Sequence, residues 1–263
     1  MRIGVPKEIK PQESRVGLTP NSVKVLKSNG HEILVEDNAG FEAGFDNQQY
    51  EKAGAKIVNK AEDIFSDSKI IVKVKEPLSS EIKMIKENQV IFTYLHLAAA
   101  KELTEGLVKS KSVCIAYETV TDDNGKLPLL APMSAVAGRM SIQAGAHSLE
   151  KSQKGRGLLL GGAPGVDPAT VVILGGGVVG ENAALIATGM KSKVYVIDKS
   201  SKRLSELKEI FGNSIIPIDS KEADIKKLIS ECDLLIGGVL IPGAEAPKLI
   251  TKDMLKIMKK GSV

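Results

Sequence analysis

Through the first half of the chain, short runs of aliphatic and β-branched residues alternate with polar stretches whose apolar positions recur at helical spacing. The runs occupy residues 2–5, 32–36, 70–75, 90–96 and 113–118. Runs this short, with helices between them, predict strands of a parallel sheet covered on both faces. The first intervening helix is punctuated: Thr19 suits the N-cap, Pro20 the first helical position and Gly30 the C-terminal cap, with Val23 and Leu26 as its apolar stripe.

The pattern changes over residues 132–154, where Ala, Ser, Met and Gln dominate and no strand-like run occurs. This predicts one long helix joining two domains, with a Gly- and Pro-rich loop after it at 161–168. Alternation then resumes, with strands expected at 170–174, 193–198, 214–218 and 234–239 and helices at 178–191, 202–211, 221–230 and 251–260. The expected architecture is α/β, two doubly wound parallel-sheet domains spanning 1–131 and 132–263.

Composition narrows the function classes. In 263 residues, 36 Lys and Arg face 32 Asp and Glu, a net charge of +4 without a basic stripe, and aromatic residues make up 3% with no Trp. Nucleic acid would find neither an electrostatic track nor stacking platforms. The first fifteen residues lack the apolar core of a signal peptide, and no apolar run reaches membrane-spanning length, so a cytoplasmic protein without a membrane partner is expected. Cys114 and Cys232 lie in or beside apolar runs and read as buried thiols. The three His, at 31, 96 and 147, are too scattered to suggest a metal site.

The strongest local signal is Gly175-Gly176-Gly177-Val178-Val179-Gly180, between a predicted strand and a predicted helix. Gly175 permits a tight turn, Gly177 lets the backbone approach a pyrophosphate, and Gly180 lets helix and strand pack closely. A pyrophosphate would meet the unpaired N–H groups and dipole of the helix N-terminus that begins at Val178. Asp198 ends the next strand, where a carboxylate can accept from the ribose hydroxyls and repel a 2′-phosphate. These features define a Rossmann domain and favour NAD over NADP. Lys199, Lys202 and Arg203 follow, and basic residues beginning a helix are ordinarily solvated.

In open α/β sheets ligands bind beyond the carboxyl ends of the strands. Three runs of the first domain end in residues capable of chemistry, Lys75, His96 and Glu118, and Arg15 follows the first strand in the same sense. A Lys and an Arg on one rim would hold a small carboxylate, and a His beside them could move a proton near neutral pH. Each residue also has a plainer reading. Lys75 could pair with the adjacent Glu76, His96 could be an ordinary polar strand end, and Glu118 could cap the next turn.

At these residues the chain resembles a known family. Segments Arg2-Ile-Gly-Val-Pro-Lys-Glu8, Glu13-Ser-Arg-Val-Gly-Leu-Thr-Pro20, Val72-Lys-Val-Lys-Glu-Pro77, Tyr94-Leu-His-Leu-Ala-Ala-Ala100, Met133-Ser-Ala-Val-Ala-Gly-Arg-Met140 and Leu159-Leu-Gly-Gly-Ala-Pro-Gly-Val166 look like the alanine dehydrogenases. The opening segments also resemble the NAD-binding part of nicotinamide nucleotide transhydrogenases. The resemblance implies NAD-dependent, reversible oxidative deamination of L-alanine to pyruvate and ammonia by a homo-oligomer, a hexamer in the family. It implies that Arg15 and Lys75 bind substrate, that His96 is the acid/base group with Lys75 polarising the carbonyl, and that Ser134, Val179, Arg203, Ser220, Val239 and Leu240 join Asp198 in binding cofactor.

Two further expectations concern extent and competing function. A complete Rossmann sheet has six strands, whereas this chain supplies four and the start of a fifth at Gly261-Ser262-Val263, so the chain reads as a fragment with little turnover of its own, lacking the family's second catalytic residue, an aspartate. The alternatives are a transhydrogenase subunit and a non-catalytic NAD-binding protein. Leu130 and Met133 are the candidates for a small apolar specificity pocket.

Overall fold

The computed structural model describes residues 1–241 and 248–263. The chain divides into two compact units, Met1–Leu129 and Leu130–Val263. The first runs β1 (Arg2–Val5), α1 (Pro20–Ser28), β2 (Glu32–Glu36), α2 (Asn47–Lys52), β3 (Lys56–Val58), α3 (Ala61–Asp67), β4 (Ile70–Val72), α4 (Ser79–Ile82), β5 (Val90–Thr93), α5 (Lys101–Ser110) and β6 (Val113–Ala116). All six strands are parallel, in the order β3-β2-β1-β4-β5-β6. The chain leaves β1 toward one side of the sheet and β4 begins the other, so the order reverses between these two strands. A crevice at their carboxyl ends is where an open sheet holds a ligand.

The second unit runs α6 (Ala131–Ser148), β7 (Thr170–Leu174), α7 (Val178–Gly189), β8 (Lys193–Asp198), α8 (Ser201–Phe211), β9 (Ile215–Asp219), α9 (Glu222–Glu231), β10 (Leu234–Gly237) and α10 (Lys252–Ile257). Its strands are parallel in the order β10-β7-β8-β9. On β7, Val171 and Ile173 pack into one core layer and Val172 and Leu174 into the other. That period of two, with no polar position after Thr170, is what burial on both faces demands. The helix punctuation also acts as expected: Thr19 caps α1 by accepting from the Ser22 N–H, and Pro20 opens the helix.

Several boundaries differ from those the sequence suggests. Lys75, His96 and Glu118 do not close strands, because β4, β5 and β6 end at Val72, Thr93 and Ala116. β6 passes straight into the short turn Tyr117–Thr119, and for β4 and β5 the reason lies in the carboxylates that take over the backbone donors. The N–H groups of Val74 and Lys75 donate to Glu8, and those of Leu95 and His96 to Glu118, where the next rungs of the ladder would otherwise form. β3 escapes the sequence pattern because it is three residues long and pairs only with β2 at the sheet edge.

The long helix stops at Ser148, short of residue 154. Leu149 turns wholly into the core, and the N–H of Gly157 returns to the Leu149 carbonyl at 2.7 Å. A Cβ on Gly155 would lie 2.4 Å from that carbonyl oxygen, so the reversal requires glycine there. α7 ends two residues early for a related reason, since Lys191 adopts a left-handed φ of 65°. α10 ends at Ile257, and Val263 then exchanges backbone hydrogen bonds with Asp233 and Leu235 at 3.0 and 2.8 Å, alongside β10. Of the two thiols, Cys232 is buried and Cys114 only partly so, because β6 is an edge strand.

Candidate active site

Arg15 leaves the loop after β1, on the crevice where the strand order reverses. Its Nε and its own N–H donate to Glu13 Oε1 at 2.7 and 3.0 Å, and a terminal nitrogen donates to Oε2 at 2.5 Å. The Glu13 side chain is 7% exposed and that of Arg15 43%, so the carboxylate holds the base of the guanidinium while part of it faces out. These hydrogen bonds lower the Glu13 carboxyl against the opposing effect of burial, with Lys75 adding a smaller lowering. They raise the Arg15 guanidinium in turn.

Lys75 sits in the turn after β4, half-buried, with its carbonyl accepting from Thr93 Oγ1 at 2.9 Å. It does not pair with Glu76, which bonds Lys10 instead. Burial pushes the Glu76 carboxyl up, but the Lys10 hydrogen bond and smaller contributions, His96 among them, bring it below the ordinary value. Arg15 and Lys75 thus both act electrostatically on Glu13, and His96 acts on Glu76, the residue next to Lys75.

His96 follows β5 and adopts a left-handed φ of 52°, uncommon outside glycine, before the short turn Leu97–Ala99. Its ring stacks on Tyr94, with centroids 6.0 Å apart and planes 10° apart. The Tyr94 hydroxyl donates to the Leu129 carbonyl at 2.5 Å. Glu118 is not merely the cap of its own turn, because its carboxylate accepts from the His96 and Leu95 N–H groups. A cavity of about 470 Å³ behind these loops is lined by Val16, Leu18, Phe92 and Tyr117 among others, but by none of Arg15, Lys75 and His96.

In the second unit the Gly-rich turn has the geometry its spacing requires. Gly175 has φ +95°, a Cβ on Gly180 would fall 1.8 Å from the Gly175 oxygen, and one on Gly177 would meet nothing within 4 Å. Gly177 therefore faces open space at the start of α7, a cradle that fits a pyrophosphate. The Gly176 peptide is gripped at both ends: its N–H donates to Asp198 Oδ2 at 2.7 Å and its carbonyl accepts from Arg203 Nε at 2.7 Å. Asp198 Oδ1 accepts from the Ser200 N–H, and the Asp198 carbonyl from the Ser220 N–H. Arg203 is not solvated as its neighbours suggested. It pairs with Glu181 and Glu206, whose hydrogen bonds outweigh burial and raise its guanidinium.

The remaining cofactor candidates lie around this turn within the same unit. A Cβ on Gly175 would be 2.9 Å from Val239, while Leu240 is exposed. The Val179 carbonyl packs against Gly138 of α6, and Ser134 stands one turn before Gly138. Among the described residues no cluster of His, Cys, Asp or Glu is arranged to hold a metal ion, and no helix is long and apolar enough to cross a membrane.

Four polar residues of the rim escaped the reading by residue type: Glu8, Glu13, Lys73 and Tyr94. Lys73 had a usable signal, since a Lys inside Ile-Ile-Val-Lys-Val can be buried only if acids reach it. Nothing in local sequence says that Glu8 would be the acid.

A parallel sheet with Arg15 and Lys75 beyond the two strands that flank its reversal point and His96 one strand further on, together with a Gly-rich dinucleotide turn, is the equipment of an oxidoreductase using a nicotinamide nucleotide. Family comparison agrees over nearly the whole chain. Residues 4–137 match the alanine dehydrogenase/PNT N-terminal domain and residues 141–263 the C-terminal domain of the same name. The chain belongs to the alanine dehydrogenase/PNT family. The alanine dehydrogenase of Methanococcus maripaludis is 51% identical over all 263 residues and that of Halomonas elongata 52%, the chain covering 70% and 71% of their lengths. A solved L-alanine dehydrogenase superposes with a TM-score of 0.90 at 51% identity, the match taking in 100% of this chain and 72% of that one. A transhydrogenase from Sinorhizobium meliloti superposes at 0.81 with 26% identity, over 100% of this chain and 76% of that one.

Proposed function

We propose that the protein catalyses the NAD-dependent, reversible oxidative deamination of L-alanine to pyruvate and ammonia. The observation that carries this reading is the rim of the first unit, where Arg15, Lys75 and His96 emerge from neighbouring strand ends and each is held through a glutamate. Arg15 binds the substrate carboxylate and Lys75 the carboxylate and carbonyl oxygen. The chemistry that bound NAD would supply is acceptance of a hydride from the alanine Cα. His96 then takes a proton from the water that adds to the iminopyruvate carbon, returns it to nitrogen so that ammonia can leave, and takes the hydroxyl proton as the pyruvate carbonyl forms. In the reverse direction Lys75 polarises the pyruvate carbonyl toward attack by ammonia.

The second unit is the NAD-binding domain in this reading, with Gly175, Gly177, Val178, Val179 and Gly180 at the pyrophosphate, Asp198 at the ribose, and Ser134, Arg203, Ser220, Val239 and Leu240 around them. NAD is favoured over NADP because Asp198 would repel a 2′-phosphate, and the nearby Arg203 guanidinium already faces Glu181 and Glu206. The first unit is the substrate domain. The protein is read as a cytoplasmic homo-oligomer, a hexamer, on the strength of the family.

Purified protein is tested for alanine-dependent formation of NADH and for pyruvate- and ammonia-dependent loss of it. Turnover with alanine supports the dehydrogenase. Binding of NADH without turnover favours a nucleotide-binding role, and exchange between NADH and an NADP analogue favours the transhydrogenase reading.

A further inference from the structure

Lys73, directly after β4, is buried, with its side chain 1% exposed. Its Nζ lies 3.1 Å from Glu8 Oε2 and 2.7 Å from Glu81 Oε1, and those side chains are 2% and 3% exposed. The two carboxylates come from different places, Glu8 from the segment after β1 and Glu81 from α4. Each uses its other oxygen on the backbone of the stretch between them. Glu8 Oε1 accepts from the N–H of Val74 at 2.6 Å and of Lys75 at 3.4 Å, while Glu81 Oε2 accepts from the N–H of Leu78 at 2.8 Å. The segment 74–78 is therefore held at both ends by carboxylates that one ammonium bridges, and Lys75 projects from it.

Stability alone does not account for this arrangement. Taking three charges out of water is costly, and apolar replacements of buried ion pairs are often neutral or stabilising. What an apolar cluster lacks is acceptors for the backbone of a turn. We propose that the Glu8, Lys73 and Glu81 triad is a positioning frame for Lys75, and that Glu8 Oε1 is the atom that aims it. The proposal rests on the reading of Lys75 as a substrate-binding residue. Within it, Glu8, Lys73 and Glu81 act only through Lys75 and touch no substrate.

The test compares two full-length variants that share Lys73→Met and Glu81→Gln, so that both lose the buried charges and both keep an acceptor for Leu78. One carries Glu8→Gln, which retains an acceptor for Val74 and Lys75, and the other Glu8→Leu, which does not. Dissociation constants for pyruvate and for NADH are measured by calorimetry, with melting temperature alongside. The expected result is a pyruvate constant near wild type in the Gln form and about tenfold weaker in the Leu form, with NADH binding equal in both. Equal pyruvate affinity in the two forms overturns the proposal. If the Leu form does not fold, Glu8→Gln and Glu8→Asp are compared in the otherwise unaltered chain: Asp keeps the charge beside Lys73 but falls one methylene short of the Val74 N–H. Weak pyruvate binding by the Asp form alone then supports the frame, and equal binding overturns it. Lys75→Met separates the two levels. If it binds pyruvate as the wild type does, the role of Lys75 falls and the frame with it; if it binds weakly while the Glu8 variants do not differ, the frame alone falls.

Discussion

The backbone N–H of His96 donates to Glu118 at 2.6 Å, and the two residues come from the ends of adjacent strands, β5 and β6. A left-handed histidine costs backbone energy, of order 1–2 kcal/mol for an ordinary residue. The carboxylate accepting two successive N–H groups offsets it and fixes where the imidazole begins.

Replacing Glu118 should therefore disturb catalysis more than folding. Glu118→Ala is expected to lower kcat for pyruvate amination about tenfold or more, with a smaller loss for Glu118→Gln, which keeps one acceptor. The KM for NADH should not change in either. Steady-state kinetics on both variants checks this.

Glu13 predicts part of the acid sensitivity. Its folded value lies below the ordinary 4.5 because of Arg15, so the pair's stabilisation is fully present above that pH and is lost as pH falls through the lowered value. Glu36 works in the opposite sense, since burial raises its carboxyl and its ionisation costs stability as pH rises. Melting temperature followed from pH 6 to 3, as a rough range around the carboxylate values, should fall less steeply in Glu13→Gln than in the wild type.

Asp198 holds the turn through the Gly176 and Ser200 N–H groups, and in the proposed function it also faces the cofactor ribose. Asp198→Asn retains an acceptor for the Gly176 N–H while removing the charge. NADH binding should weaken modestly, and discrimination against NADPH should drop about tenfold. Calorimetric titration with each nucleotide measures both.

Gly180 tests the packing behind the same turn. A Cβ there would overlap the Gly175 carbonyl, so Gly180→Ala should cost about 1–3 kcal/mol of stability. It should also weaken NADH more than pyruvate binding, as thermal denaturation and calorimetry would show.

The thiols differ enough to be told apart chemically. Burial pushes the Cys232 thiol up to about 11, whereas Cys114 is partly exposed on an edge strand. A disulfide reagent at neutral pH should modify Cys114 well before Cys232, with both reacting after denaturation.

Strand and helix alternation was legible because strands buried on both faces are apolar except near their ends, and the dinucleotide turn was legible because steric need puts glycine at fixed spacing. Lys75, His96 and Glu118 were found as residues but misplaced as strand ends. For Lys75 and His96 the error has one physical source. Apolar runs continue past the last rung, and what ends the ladder is a carboxylate from another strand's loop, Glu8 or Glu118, that no local pattern connects to it. Arg203 was likewise visible as a charge but not as a brace on Gly176, because that depends on α8 lying beside the turn. Lys73 shows the same limit: its burial could be inferred, its partners could not.

The strand order of the first unit, β3-β2-β1-β4-β5-β6, is that of a complete dinucleotide fold, yet its reversal point holds no glycine-rich turn. In the proposed function, one wiring diagram thus serves two kinds of anion recognition in this chain. Where main-chain amides do the holding, specificity lies in the shape of a turn and changes only by altering glycines. Where side chains do it, the same crevice can be retuned for a different small acid one residue at a time, with the sheet beneath left untouched.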